Sequence, residues 1–133
     1  MITPPVSTRI GDRTDLRFFS QNISLGDNIS FDSDVRIVVP ASGHLSIGNN
    51  VKIGKGSVLN CGGRVFIGND VSFYGYCYVQ SSRWIWVDAK KTYEFFDLTI
   101  EDFSVIAPHT SISGNVTVPR GYRGQPGEVL GEW

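Results

Sequence analysis

The chain is poor in the residues that usually announce chemistry: 133 residues hold two cysteines, two histidines and one methionine. Cys61 and Cys77, sixteen positions apart, match neither a CxxC metal clip nor a disulfide framework, so no metal site is expected. An excess of one charge is also lacking. Twelve Lys and Arg stand against 13 Asp and Glu for a net charge of −1, which gives no electrostatic reason to expect nucleic acid or an anionic membrane as a partner. No apolar run approaches the roughly 20 residues of a membrane span. The opening MITPPVSTRIGDRTDLRFFS has no apolar signal core. The expectation is a single cytoplasmic domain with no membrane and no nucleic-acid partner.

Glycine is plentiful at 15 residues, and an aliphatic residue precedes it repeatedly: Leu25-Gly26, Ile47-Gly48, Ile53-Gly54, Ile67-Gly68. Stepping by six from these positions gives Leu25, Phe31, Ile37; then Ile47, Ile53, Leu59; then Ile67, Phe73, Val79. A last series runs Ile100, Ile106, Ile112, Val118. Every position is large and apolar, a pattern that neither a 3.6-residue helix nor a plain alternating strand produces. Four residues after most of them lies a small or β-branched residue such as Ile29, Val35, Val51, Ser57 or Cys77. Turn formers such as Gly48-Asn49-Asn50 and Gly68-Asn69-Asp70 fill the bends. Each hexad therefore reads as a very short strand plus a bend, and three hexads close one triangular coil. Coils stack as parallel strands about 4.8 Å apart. Each buried Ile, Leu or Phe contributes about 1.5–3 kcal/mol.

The interruptions collect on one side. Ile37 to Ile47 is ten residues, Leu59 to Ile67 is eight and Val79 to Ile100 is twenty-one, where six would suffice. All three surplus segments follow the third hexad, so they leave from a single corner of the prism, and insertions gathered on one side of a solenoid commonly build its binding surface. That corner carries His44, Cys61, Arg64 and a markedly aromatic segment from Arg83 to Phe96. The long insert begins either at Gln80 or after Ile85, which also keeps the hexad register.

These repeats resemble the hexapeptide-repeat family, whose fold is the left-handed parallel β-helix. The resemblance implies an all-β left-handed parallel β-helix of about four triangular coils with inserts at one corner. The expected layout is an N-terminal lead-in or cap over 1–22, a β-helix over 23–118 with a loop insert at about 80–98, and a C-terminal tail over 119–133. Within the family, Leu59-Asn60-Cys61-Gly62-Gly63-Arg64-Val65-Phe66-Ile67-Gly68 is similar to the step before the acceptor loop of sugar and small-acceptor acetyltransferases. The stretch from Thr99-Ile100-Glu101-Asp102 through Ile112-Ser113-Gly114-Asn115-Val116-Thr117-Val118 is similar to the coil after that loop. Gly124-Gln125-Pro126-Gly127-Glu128-Val129-Leu130 is similar to their closing segment.

The resemblance implies a homotrimer that moves an acyl group from acetyl-CoA to the hydroxyl or amine of a sugar or other small acceptor. Such chemistry needs a base for the acceptor proton. Where the family places its histidine, this chain reads Val79-Gln80-Ser81-Ser82-Arg83-Trp84, and indole cannot act as a base. His44, at the insert corner, and His109, in the bend Ala107-Pro108-His109-Thr110, are the remaining candidates. Their plain alternatives are a loop histidine and a turn residue. For the coenzyme, the resemblance implies Ala107, Ser113, Arg120 and Arg123, with the arginines facing phosphates. For the acceptor it implies Arg83, Trp84, Trp86 and Asp88. Two readings follow: an acyltransferase with a relocated base, or a catalytically inactive β-helix used for binding or assembly.

Overall fold

A computed structural model describes residues 3–131. The first coil comprises β1 (Arg9–Ile10), β2 (Asp15–Phe18) and β3 (Ile23–Leu25), and the second β4 (Ser30–Phe31), β5 (Arg36–Val39) and β6 (His44–Ile47). The third comprises β7 (Lys52–Ile53), β8 (Val58–Asn60) and β9 (Arg64–Ile67). The fourth begins with β10 (Ser72–Phe73) and β11 (Tyr78–Gln80), leaves the prism as β12 (Ser82–Val87) and β13 (Lys90–Phe95), and returns as β14 (Asp97–Ile100). The fifth comprises β15 (Val105–Ile106), β16 (Ser111–Ser113) and β17 (Val116–Val118); a parallel bridge from Arg123 to Val105 and β18 (Val129–Gly131) begin a sixth.

Three parallel sheets of five, six and five strands form the faces, and β12 and β13 form a separate antiparallel pair. The molecule is a left-handed parallel β-helix. Among the described residues no helix is long and apolar enough to cross a membrane.

The hexad columns stand in register. Leu25 pairs with Ile47, then Ile67, Ile100 and Val118 along the third face. Phe31, Ile53, Phe73 and Ile106 align on the first face, and Ile37, Leu59, Val79 and Ile112 on the second. Columns of smaller residues fill the angles between them, including Val35, Ser57, Cys77 and Thr110, all buried. Their polar atoms find partners: the Ser57 hydroxyl accepts from the Cys77 amide at 3.1 Å, and the Thr110 hydroxyl donates to the Ala107 carbonyl at 2.8 Å. Cys61 and Cys77 are free thiols in different columns.

Two corners are built by residues with positive φ. Between the first and second faces these are Arg13, Asp34, Gly56, Tyr76, His109 and Gly127; between the third and first they are Asn28, Asn50, Asp70, Phe103 and Gly121. At the latter corner, side chains form a ladder. The Asn49 carbonyl oxygen accepts from the Asp27 amide, that of Asn69 from Asn49, and an Asp102 carboxylate oxygen from Asn69, each at 2.8 Å. A Cβ on Gly48 would collide with the Asn69 side chain and the Gly68 backbone, so the ladder requires a bare backbone there.

The prism has about six turns rather than four. At the N-terminus, Ile10 and Leu16 occupy their columns, but nine residues separate Leu16 from Leu25, which obscures the period. At the C-terminus, Val118, Gly124 and Leu130 keep the six-residue step, with glycine where an apolar side chain is expected. Tyr122 packs against the core instead and donates its hydroxyl to Glu128 at 2.6 Å.

Candidate functional site at the insert corner

At the second-to-third-face corner the column Ile23, Leu45, Val65, Leu98 and Val116 stays in register, while surplus chain leaves just before it, at 40–43, at 61–63 and through the β12–β13 hairpin. Its layers pack closely. A Cβ on Gly63 would strike the carbonyl oxygens of Ser81 and Phe96, and one on Gly62 would strike the Ser82 side chain. The paired glycines thus let the hairpin base lie flat on the coil below. The Ser81 hydroxyl accepts from the Gly63 amide at 3.0 Å, the Phe96 amide donates to the Ser81 carbonyl at 2.7 Å, and Phe96 is buried.

Against this base lies a pocket of about 230 Å³ lined by Ser42, His44, Gly63, Arg64, Phe95 and Asp97, with Gly62 and Phe96. His44 opens β6, Arg64 opens β9 and Asp97 opens β14, and the ladders set His44 opposite Arg64 and Arg64 opposite Asp97. Each lies three residues before its column isoleucine. The same offset from Leu25 and Val118 gives Asn22 and Asn115, and the Asn115 side-chain oxygen accepts from the Asp97 amide at 2.9 Å. The result is a polar file along the corner edge of the third face. The His44 amide donates to the Gly63 carbonyl at 2.9 Å, which fixes its backbone. Its half-buried side chain also borders a second depression of about 300 Å³ with Asn22, Ser46 and Phe66. A base, a cation and a carboxylate in adjacent layers suit proton transfer and anion recognition.

The other expected residues are spread over the molecule. His109 sits at the first corner with φ +61°, exposed, its ring stacked on Tyr76 at 5.4 Å between centroids. It does not meet His44. Arg83 donates to Glu94 at 3.2 Å and lies 5.4 Å over the Phe96 ring, at the hairpin base. Trp84 meets Tyr93 at 3.9 Å between centroids on the hairpin, and Trp86 is 73% exposed. Asp88 and Ala89, both at positive φ, make the two-residue turn that joins the strands.

Ala107 and Ser113 are buried; Ser113 is covered by Gly131 of the sixth turn. Arg120 is exposed, 4.8 Å over the Phe103 ring, at the end of a third-face depression of about 400 Å³ with Ser46, Phe66, Thr99 and Asp102. Arg123, also exposed, lies on the first face. Of the coenzyme candidates, Arg120 alone shares a face with His44. No group of three or more His, Cys, Asp or Glu that could hold a metal ion occurs among the described residues.

Asp97 and Ser42 were not among the expected site residues, although the three-residue offset that finds His44 also finds Asp97. Cys61 lies beneath this corner, where burial pushes its thiol up to about 12 and leaves it inert as a nucleophile.

No family model matches the chain, and no curated protein matches it. Solved structures do. AntD, an N-acyltransferase from Bacillus cereus, superposes in a complex with dTDP-4-amino-4,6-dideoxyglucose and coenzyme A with a TM-score of 0.64 and 15% identity, covering 96% of this chain and 78% of AntD. A complex of AntD with dTDP and coenzyme A gives 0.69 and 15%, covering 97% and 70%. A further complex with dTDP and coenzyme A gives 0.53 and 17%, covering 96% and 78%. At these identities the likeness establishes a shared β-helical fold.

Proposed function

We propose that this chain is an acyl-CoA-dependent acyltransferase, moving an acetyl group to the hydroxyl or amine of a sugar or other small acceptor, with His44 as the general base. The observation that carries the reading is the insert-corner pocket, in which His44 stands beside Arg64 and Asp97. The coenzyme A and sugar nucleotide bound by AntD support the substrate classes. In this scheme His44 takes the acceptor proton as the acceptor oxygen or nitrogen bonds to the thioester carbon. The carbon–sulfur bond then breaks, and His44 returns the proton to the departing sulfur. Arg64 supplies positive charge to the oxygen that becomes anionic. Arg120 stands where a phosphate can reach it along the third face. His109, Ala107 and Ser113 receive no role in the scheme, since corner geometry or burial accounts for each. A homotrimer fits a prism with flat faces, and light scattering at micromolar concentration tests it against a monomer.

Calorimetry with acetyl-CoA, then turnover of a panel of sugars and amines by wild type and His44→Ala, tests the proposal. Binding at micromolar donor with turnover lost in the variant supports it; no heat at millimolar donor ends it. The alternative is an inactive β-helical binding module. It is favoured by Ser81 and Ser82, which are buried in packing where the family has its histidine, and any sustained acyl transfer eliminates it.

A further inference from the structure

The hairpin has more exposed apolar surface than its attachment to the prism requires. Among the described residues its strands pair only with each other, over six residue pairs from Ser82–Phe95 to Val87–Lys90. At about 3.4 Å per residue they carry the tip roughly 17 Å from the base. Only the base is anchored, by Ser81, Ser82 and Phe96.

Strand alternation sends Trp84 and Trp86 to the same side as their neighbours Tyr93 and Phe95. These four are 53%, 73%, 43% and 55% exposed, and Val87 at the tip is 48% exposed. Three of the rings form a row, Trp84 on Tyr93 and Tyr93 on Phe95, with centroids 3.9 and 5.7 Å apart. Among them stands Lys91, its ammonium 4.8 Å over Trp84. Charge is arranged along the ribbon as well. Arg83 and Glu94 neutralise each other at the base, which leaves Lys90 and Lys91 near the tip against Asp88 alone.

We propose that the β12–β13 hairpin docks the protein on an anionic lipid surface, with Trp84, Trp86 and Tyr93 entering the headgroup layer and Lys90 and Lys91 meeting lipid phosphates and carboxylates. Tryptophan and tyrosine favour that layer because their rings are apolar and their N–H and O–H groups keep polar partners there. Lysines close to an anionic leaflet add attraction that falls off within a Debye length. The near-neutral charge of the whole chain does not show this local feature, because Lys90 and Lys91 are only two of its 12 cations. A narrow ribbon forms no groove for a folded partner, whereas a lipid surface needs none.

The test is flotation of the full chain with vesicles of phosphatidylcholine alone or with about 30% phosphatidylserine. It is paired with quenching of tryptophan emission by brominated lipid in a Trp133→Phe background, so that the signal comes from Trp84 and Trp86. Expected are co-flotation with the anionic vesicles only, quenching on binding, and loss of both in Trp84→Ser/Trp86→Ser. Lys90→Glu/Lys91→Glu should weaken binding about tenfold or more. Thermal melting of each variant shows whether the prism survives, and an unfolded double-tryptophan variant is replaced by the lysine pair as the deciding comparison. Equal binding to neutral vesicles overturns the proposal, as does no flotation of the wild type. A lipid-independent emission shift that grows with protein concentration also overturns it and assigns the face to a second copy.

Discussion

His44 faces Arg64 across one step of the third-face ladder, so a titratable ring and a permanent cation are held in adjacent coils by backbone pairing rather than by loop conformation. A group positioned in this way is replaced without disturbing the fold. His44→Ala should reduce acyl transfer by about 10²–10⁴-fold while changing stability by no more than roughly 0.5 kcal/mol. Thiol release from the acyl donor measures the first and thermal melting the second. Equal loss of both would make His44 a structural residue.

Gly63 should be intolerant of a side chain. Gly63→Ala drives a methyl group into the Ser81 and Phe96 carbonyls, at a cost of about 1–3 kcal/mol. Hydrogen exchange at the Phe96 and Ser81 amides reports the loosening, expected before any change in the coils beyond.

The asparagine ladder makes a separate prediction. Asn69→Ala removes the acceptor for the Asn49 amide and should destabilise by about 1 kcal/mol, because water can replace the lost bond at this exposed corner. Gly48→Ala should cost more, since its Cβ meets the Gly68 backbone as well as a side chain. Denaturant midpoints for the two variants rank them.

Burial raises the Cys61 thiol from 9.0 to about 12. In the unfolded chain the thiol ionises near the lower value, so between these values the unfolded state holds fewer protons than the folded one. Stability is therefore intact below pH 9 and falls as pH climbs from about 9 towards 12, by at most about 1.4 kcal/mol per pH unit from this residue. Cys77 and Tyr122 are raised too and act in the same direction. The slope of the denaturation midpoint in wild type against Cys61→Ala isolates the Cys61 share. A thiol reagent at pH 8 should leave both cysteines unlabelled until the protein unfolds.

The six-residue step made the columns legible from sequence alone, because an inward position in a triangular coil has one neighbour above and one below and tolerates little but an apolar side chain. It failed at the two ends for physical reasons: at Asn22, where a three-residue excess shifts the count, and at Gly124, where Tyr122 supplies the missing volume. The surplus corner was legible, and with it His44. Asp97 was passed over because it closes the long insert, although its three-residue offset from Ile100 matches that of His44 from Ile47 and its pairing with Arg64 puts it in the same file. That Asp88 forms the turn of the hairpin was not legible, because sequence shows its charge and not its backbone.

Two prism edges are locked to a fixed chain length by a left-handed residue in every coil, while the edge bearing the hairpin has no such file and carries Gly114 in the fifth coil. Length variation is thereby channelled to one address. Segments of other sizes spliced between Gln80 and Asp97 should leave the columns unaltered, which makes the scaffold a ready host for grafted loops.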